Sequence, residues 1–232
     1  MNVARFNFSH GSQQEHLAKL NLVQELREEL NLPVATLLDT RGPEIRVCQF
    51  QDGKVELENG QDFTLWAQDR MGDATGVALT YKELAGDVSV GDTILLDDGL
   101  IELKVKAIQG KDLICTVCNG GPLSNNKGVN VPNAHLSMPF ISERDRSDLI
   151  FGMEHDFDFI AASFTRSAKD NLEIRSLCQE HHCDHINIIA KIENMEGVEN
   201  IDEIIRVSDG IMVARGDMGV EIPLEDVPVL QK

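Results

Sequence analysis

Ile188-Ile189-Ala190-Lys191-Ile192-Glu193-Asn194 is the stretch whose reading decides the fold. Its apolar, β-branched run predicts a strand, and side chains on a strand alternate between faces. Lys191 and Glu193 then share one face, and Ala190 and Ile192 the other. A cation and an anion at the C-terminal end of an apolar strand have two explanations. They form a structural ion pair, or they mark a site where the lysine meets an anion and the glutamate a metal ion. On this stretch alone both stay open.

The neighbouring segments repeat the pattern. Downstream, a helix over about 200–207 leads to a strand at 210–214 and then to Arg215-Gly216-Asp217-Met218-Gly219. Upstream, Ser142 caps a helix to about His155, residues 159–164 read as a strand, and Ser167 caps a helix to about His182. At the start, residues 2–9 read as a strand with Arg5, Asn7 and Ser9 on one face and Ala4, Phe6 and Phe8 on the other. Ser12-Gln13-Gln14-Glu15 is a capping box. It opens a helix to about Leu30 whose i, i+4 leucines, Leu22, Leu26 and Leu30, are expected to face the core. Residues 34–39 form the next strand, apolar until Asp39-Thr40. Strand, helix, strand, with polar residues held for the strands' C-terminal ends, is the βαβ signature of a parallel sheet.

Residues 42–138 differ. Short strands alternate with turn signals at Asp52-Gly53, Asn59-Gly60, Asp98-Gly99 and Asn119-Gly120-Gly121. This predicts a small all-β, barrel-like insert. It carries Lys127 in the polar loop Asn125-Asn126-Lys127-Gly128. The domains are therefore 1–41 plus 139–232, an α/β part carrying the active site, and 42–138. The α/β part holds about 135 residues against the ~250 of a full (β/α)8 barrel. An open doubly wound sheet would place a Gly-rich phosphate loop after its first strand, and the sequence has none. The fold class is thus α/β, a partial (β/α)8 TIM-type barrel interrupted by an all-β barrel.

Twenty-one Lys and Arg stand against 39 Asp and Glu, a net charge of −18. That excludes nucleic acid or an anionic membrane as the main partner. No run reaches the ~18 apolar residues of a membrane span. Five cysteines without framework spacing suit a reducing, cytoplasmic setting. His181-His182-Cys183-Asp184-His185 and the Cys115/Cys118 pair lack the spacing or the strand geometry of a metal site.

In a βα barrel, polar residues at strand C-termini face one mouth. Glu193 and Asp217 are two carboxylates suited to Mg2+, which takes one or two and completes its shell with water and substrate oxygens. Asn7, Ser9, Asp39 and a carbonyl offer oxygens suited to a monovalent cation. Arg5, Arg46, Lys127 and Lys191 supply positive charge for phosphates. The turn after Arg215 presents backbone N–H groups at a helix start, a seat for a carboxylate.

Five strings also match a family. Residues 1–11 (MNVARFNFSHG), 38–46 (LDTRGPEIR), 127–132 (KGVNVP), 190–194 (AKIEN) and 209–221 (DGIMVARGDMGVE) together resemble pyruvate kinase. The resemblance implies transfer of the phosphoryl group of phosphoenolpyruvate to ADP, giving pyruvate and ATP in glycolysis. By the same resemblance, Glu193 and Asp217 hold Mg2+, and Asn7, Ser9, Asp39 and the Thr40 carbonyl hold K+. Glu44 resembles the potassium-dependent members. Arg5, His10 and Lys127 meet nucleotide phosphates, Lys191 neutralises the phosphoryl group in flight, and Gly216 and Asp217 seat the substrate carboxylate. Arg41 stands where many members have Lys.

The family pattern extends further. It implies a barrel strand before Met1, two more after Lys232 with a threonine that relays a proton, and a C-terminal domain used in homotetramers. The chain is accordingly expected to be a truncated product of low solubility when made alone. A ligand-binding fragment without turnover is the alternative, and a Mg2+-dependent aldolase or lyase a third reading.

Overall fold

Ser12 shows how local chemistry sets the first helix. Its hydroxyl accepts the Glu15 N–H, and the Glu15 carboxylate accepts the Ser12 N–H at 2.7 Å, the reciprocal capping box. The computed structural model describes residues 1–132 and 134–232. In chain order the elements are β1 (Val3–Asn7), α1 (Gln13–Glu29), β2 (Ala35–Asp39), β3 (Ile45–Arg46), β4 (Lys54–Leu57), β5 (Asp62–Trp66), β6 (Gly76–Ala78), α2 (Leu84–Asp87), β7 (Thr93–Leu96), β8 (Ile101–Gln109), β9 (Asp112–Asn119), β10 (Gly121–Ser124) and β11 (Gly128–Asn130). There follow α3 (Glu143–Glu154), β12 (Phe159–Ala162), α4 (Ala168–Glu180), β13 (Asn187–Ile192), α5 (Met195–Glu199), α6 (Ile201–Val207), β14 (Gly210–Val213), α7 (Arg215–Glu221) and α8 (Val227–Leu230). No helix among the described residues is long and apolar enough to cross a membrane.

Two compact units result, Met1–Pro43 with Pro139–Ala214, and Glu44–Met138 with Arg215–Lys232. The first holds a parallel sheet in the order β1-β2-β12-β13-β14. The order follows the chain and never reverses, so no switch point of a doubly wound sheet exists. Each crossover instead adds its strand to the same growing edge, as in a (β/α)8 barrel. Register brings Asn7 beside Asp39, and Ala161 beside both Asp39 and Ile189. The strand ends are therefore level.

One side of this sheet packs Phe6, Phe8, Leu20, Leu38 and Phe157 together, with Phe6 and Phe157 edge to face at 5.2 Å. Gly152 lets α3 come close, since a Cβ there would lie 2.5 Å from Leu38 Cδ1. A second cluster joins Ile160, Ile174, Leu177 and Ile188 beneath α4.

The leucine stripe on α1 is a correction. Leu22, Leu26 and Leu30 are 54%, 41% and 58% exposed, and the buried residues of the helix are His16 and Leu20. The i, i+4 spacing identified a helix but chose the wrong face, because His16 stacks on Phe8 at 4.2 Å and turns that side inward. The strand read over 159–164 also ends early, at Ala162. A short helix, α5, precedes the one expected at 200–207.

In the second unit a seven-stranded sheet runs β3-β11-β7-β8-β9-β5-β6. An antiparallel bridge between Val47 and Leu79 joins its two ends and closes it into a barrel. Phe63, Leu65, Ile94, Leu96 and Leu103 fill the interior. Trp66 is buried, with the Arg70 guanidinium 3.5 Å above its ring.

Candidate active site

Asp39 ends β2 with 1% of its surface exposed, and it collects cations. Its Oδ2 accepts from Arg5 Nε at 2.6 Å and from Arg5 Nη2, while Oδ1 lies 3.0 Å from Lys191 Nζ. Arg5 comes from β1 and Lys191 from β13, so three strands meet at one carboxylate. A buried carboxylate needs such partners, because an unpaired charge is costly to desolvate.

Lys191 sits at the centre. Its ammonium has three donors. They face Ser163 Oγ at 2.8 Å, Asp39 Oδ1 at 3.0 Å and Glu193 Oε1 at 3.0 Å. Burial pulls its pKa down, but Glu193 and Asp39 outweigh that, and the group lies above the ordinary lysine value. The shared face read for Lys191 and Glu193 is what the structure has. With two cations and two carboxylates the cluster is close to neutral as it stands.

Glu193 follows β13 and is 1% exposed. Its Oε2 accepts the Phe164 backbone N–H at 2.5 Å. Ser163 and Phe164, placed by sequence inside a strand, instead form the turn after β12. Ser163 is buried, and its hydroxyl reaches the Thr40 carbonyl at 2.6 Å and Asp39 Oδ1 at 3.2 Å. Sequence reasoning passed over Ser163. The available signal was its place at the C-terminal end of an apolar run, close to where Asp39 and Lys191 lie on theirs.

The oxygens read for a monovalent cation lie at the ends of β1 and β2. Asn7 is the register partner of Asp39, and its Oδ1 accepts the Ser9 N–H at 2.9 Å. The Thr40 carbonyl keeps a second lone pair beyond its bond to Ser163. These are the kind of neutral and singly charged oxygens that a weakly hydrated monovalent ion takes, with both Asp39 oxygens already facing Arg5, Lys191 and Ser163. For a divalent ion, no three or more His, Cys, Asp or Glu side chains gather into a cage among the described residues. The buried, backbone-fixed carboxylate of Glu193 does fit Mg2+, which takes few protein ligands. His10 is exposed in the turn after β1, and its carbonyl contacts His16 Nε2 at 2.8 Å.

The remaining positions belong to the second unit. Lys127 pairs with Asp97 at 2.8 Å. Arg46 reaches Glu44 at 2.8 Å and the Asn126 carbonyl at 2.7 Å. Gly216 and Asp217 lie in the first turn of α7, and a Cβ at Gly216 would meet nothing within 4 Å, which leaves its backbone open to approach. Further along α7, burial pushes the Glu221 carboxyl up, against the hydrogen bond it accepts from Asn130 at 3.1 Å.

The sequence also matches a known family along its length. The family model described as pyruvate kinase, barrel domain, matches residues 1–232. The chain is 52% identical over 233 residues to a pyruvate kinase of Clostridium perfringens, covering 100% of this chain and 49% of that protein. It is 52% identical over 234 residues to a pyruvate kinase of Geobacillus stearothermophilus, covering 100% of this chain and 40% of that protein. The chain thus spans about half the length, or less, of the curated relatives it matches. With a match along every residue and a sequential parallel sheet bearing the Asp39–Lys191–Glu193 cluster, this chain belongs to the pyruvate kinase family.

Proposed function

We propose that the chain carries the phosphoryl-transfer site of a glycolytic pyruvate kinase, moving the phosphoryl group of phosphoenolpyruvate to ADP. The observation that carries this reading is the Lys191 ammonium, buried between Asp39 and Glu193 and held charged by them. Phosphoryl transfer calls for positioning and charge neutralisation more than for covalent chemistry by the protein. Lys191 supplies a fixed point charge in a dry setting, where electrostatic effects are large. Its ammonium already lies within 3.0 Å of oxygens of Ser163, Asp39 and Glu193, so an incoming phosphoryl oxygen must compete with those contacts. Arg5 offers a guanidinium pinned on one edge by Asp39 and 54% exposed on the rest, suited to phosphate oxygens.

The other roles complete the proposal. Glu193 and Asp217 would hold Mg2+, and Asn7, Ser9, Asp39 and the Thr40 carbonyl would hold K+. Once bound, these ions would supply Lewis-acid stabilisation of developing charge and offset the anionic substrates. His10 and Lys127 would meet nucleotide phosphates, and the Gly216 and Asp217 N–H groups would orient the substrate carboxylate. The near-neutral cluster supports the need for added cations, since it has no spare positive charge of its own.

A second reading, ligand binding without turnover, draws on one observation, the 49% and 40% shares of the relatives that the chain spans. A coupled assay of pyruvate release from phosphoenolpyruvate, ADP and Mg2+, run with and without K+, tests the proposal. K+-dependent release abolished in K191M supports turnover. Phosphoenolpyruvate binding with no release supports the second reading, and neither binding nor release removes both.

A further inference from the structure

Phe164 has a left-handed backbone, φ 55°, which bulky L residues seldom adopt. Its amide N–H, in that conformation, points at Glu193 Oε2, 2.5 Å away. The turn is held from several sides. The Thr165 N–H donates to the Lys191 carbonyl at 3.3 Å, and the Ser163 hydroxyl donates to the Thr40 carbonyl at 2.6 Å. Gly42, itself at φ +75°, backs the turn so closely that a Cβ there would lie 2.7 Å from the Ser163 carbonyl oxygen and 3.1 Å from the Phe164 ring. A disfavoured backbone persists where its surroundings over-determine it, and such places gather at functional sites.

We infer that Phe164 is a positioning residue whose left-handed backbone fixes the Glu193 carboxylate for a divalent cation. The amide holds Oε2 in place while Oε1 faces Lys191, so the carboxylate cannot rotate freely about its last bond. Carboxylates that ligate metals are commonly oriented by such hydrogen bonds. The inference rests on the proposed role of Glu193 as a Mg2+ ligand. It adds that the ligand's orientation is set by a backbone conformation, which the side chain at 164 controls only through φ.

The test uses the 15N-labelled 232-residue chain with Mn2+ as the probe ion. The Phe164 amide proton, in a hydrogen bond to a charged carboxylate, is expected well downfield and slow to exchange. E193Q should return it upfield. F164G keeps the N–H and adopts the left-handed region freely, so Mn2+ affinity by electron paramagnetic resonance should stay close to that of the parent chain. F164V opposes a positive φ and should weaken Mn2+ binding about 10-fold or more, the usual cost of losing a ligand's supporting bond. An amide unmoved by E193Q, or F164V binding Mn2+ like the parent, overturns the inference. If F164V does not fold, the E193Q and F164G spectra still decide it. A parent chain that binds no Mn2+ defeats the metal-ligand role of Glu193, while the amide shift separately decides whether Phe164 orients that carboxylate.

Discussion

Asp39 Oδ1 lies 3.0 Å from Lys191 Nζ, and the opposite oxygen of the same carboxylate holds Arg5. One buried anion therefore sets the positions of both cations read for the phosphoryl group. Neither cation can move without disturbing the other's partner.

Removing Lys191 should expose this dependence. K191M leaves Asp39 and Glu193 as buried carboxylates without their shared cation, and breaking a buried pair costs about 3–5 kcal/mol. Urea unfolding should show a loss of that size, with K191R recovering part of it. A loss under about 1 kcal/mol would mean the cluster is better hydrated than its burial indicates.

Gly42 should tolerate no side chain. G42A adds a left-handed cost of about 1–2 kcal/mol. It also drives a Cβ to 2.7 Å from the Ser163 carbonyl oxygen. Overpacking of that kind adds about 1–3 kcal/mol. We expect a clear fall in melting temperature, together with loss of the downfield Phe164 amide signal. The same signal unchanged in G42A would show that the turn does not depend on its backing.

Asp145 gives a pH-dependent prediction. Burial pushes its carboxyl above the ordinary value of 3.8, against hydrogen bonds from Ser142 and the Gly42 N–H. The folded state then binds more protons than the unfolded state between 3.8 and the higher folded value. Its contribution to stability is fully present below the unfolded pKa and is lost as pH rises through the folded one. D145N is neutral and keeps an acceptor for the Gly42 N–H. The stability of D145N relative to the parent should therefore rise across that window and level off once the pH has passed the folded value. Denaturant titrations at a series of pH values check it, and a difference that does not change with pH would refute it.

The thiols should separate by burial. Desolvation raises Cys115 to about 12 and Cys178 to about 11, whereas Cys118 is exposed. Ellman's reagent should label Cys118 first and reach Cys115 and Cys178 only on unfolding. Early loss of Cys115 would mean that the second unit opens readily.

What the sequence made legible was local. Ser12 and Glu15, or Ser142 and its helix, declare themselves through contacts three residues apart. The βα order and the polar strand ends were readable for the same reason, and so was the shared face of Lys191 and Glu193. What stayed hidden depended on distant partners. Leu22 and Leu26 look like core until Phe8 and His16 decide which side of α1 turns inward. Phe164 extends an apolar run on paper, and nothing in a phenylalanine announces a positive φ. Asp39 reads from sequence as a polar residue held for the end of its strand, but nothing in the sequence shows that Arg5, Lys191 and Ser163 all converge on it.

The Val47–Leu79 bridge in the second unit has a mechanical meaning. Next to that seam, Arg46 is the register partner of Gly128, and the Lys127 carbonyl accepts the Val47 N–H at 2.9 Å. A sheet sewn shut into a cylinder cannot splay along the seam. The main chains at Arg46 and Lys127 therefore keep a constant spacing, like the jaws of a locked caliper, whatever else in the chain rearranges.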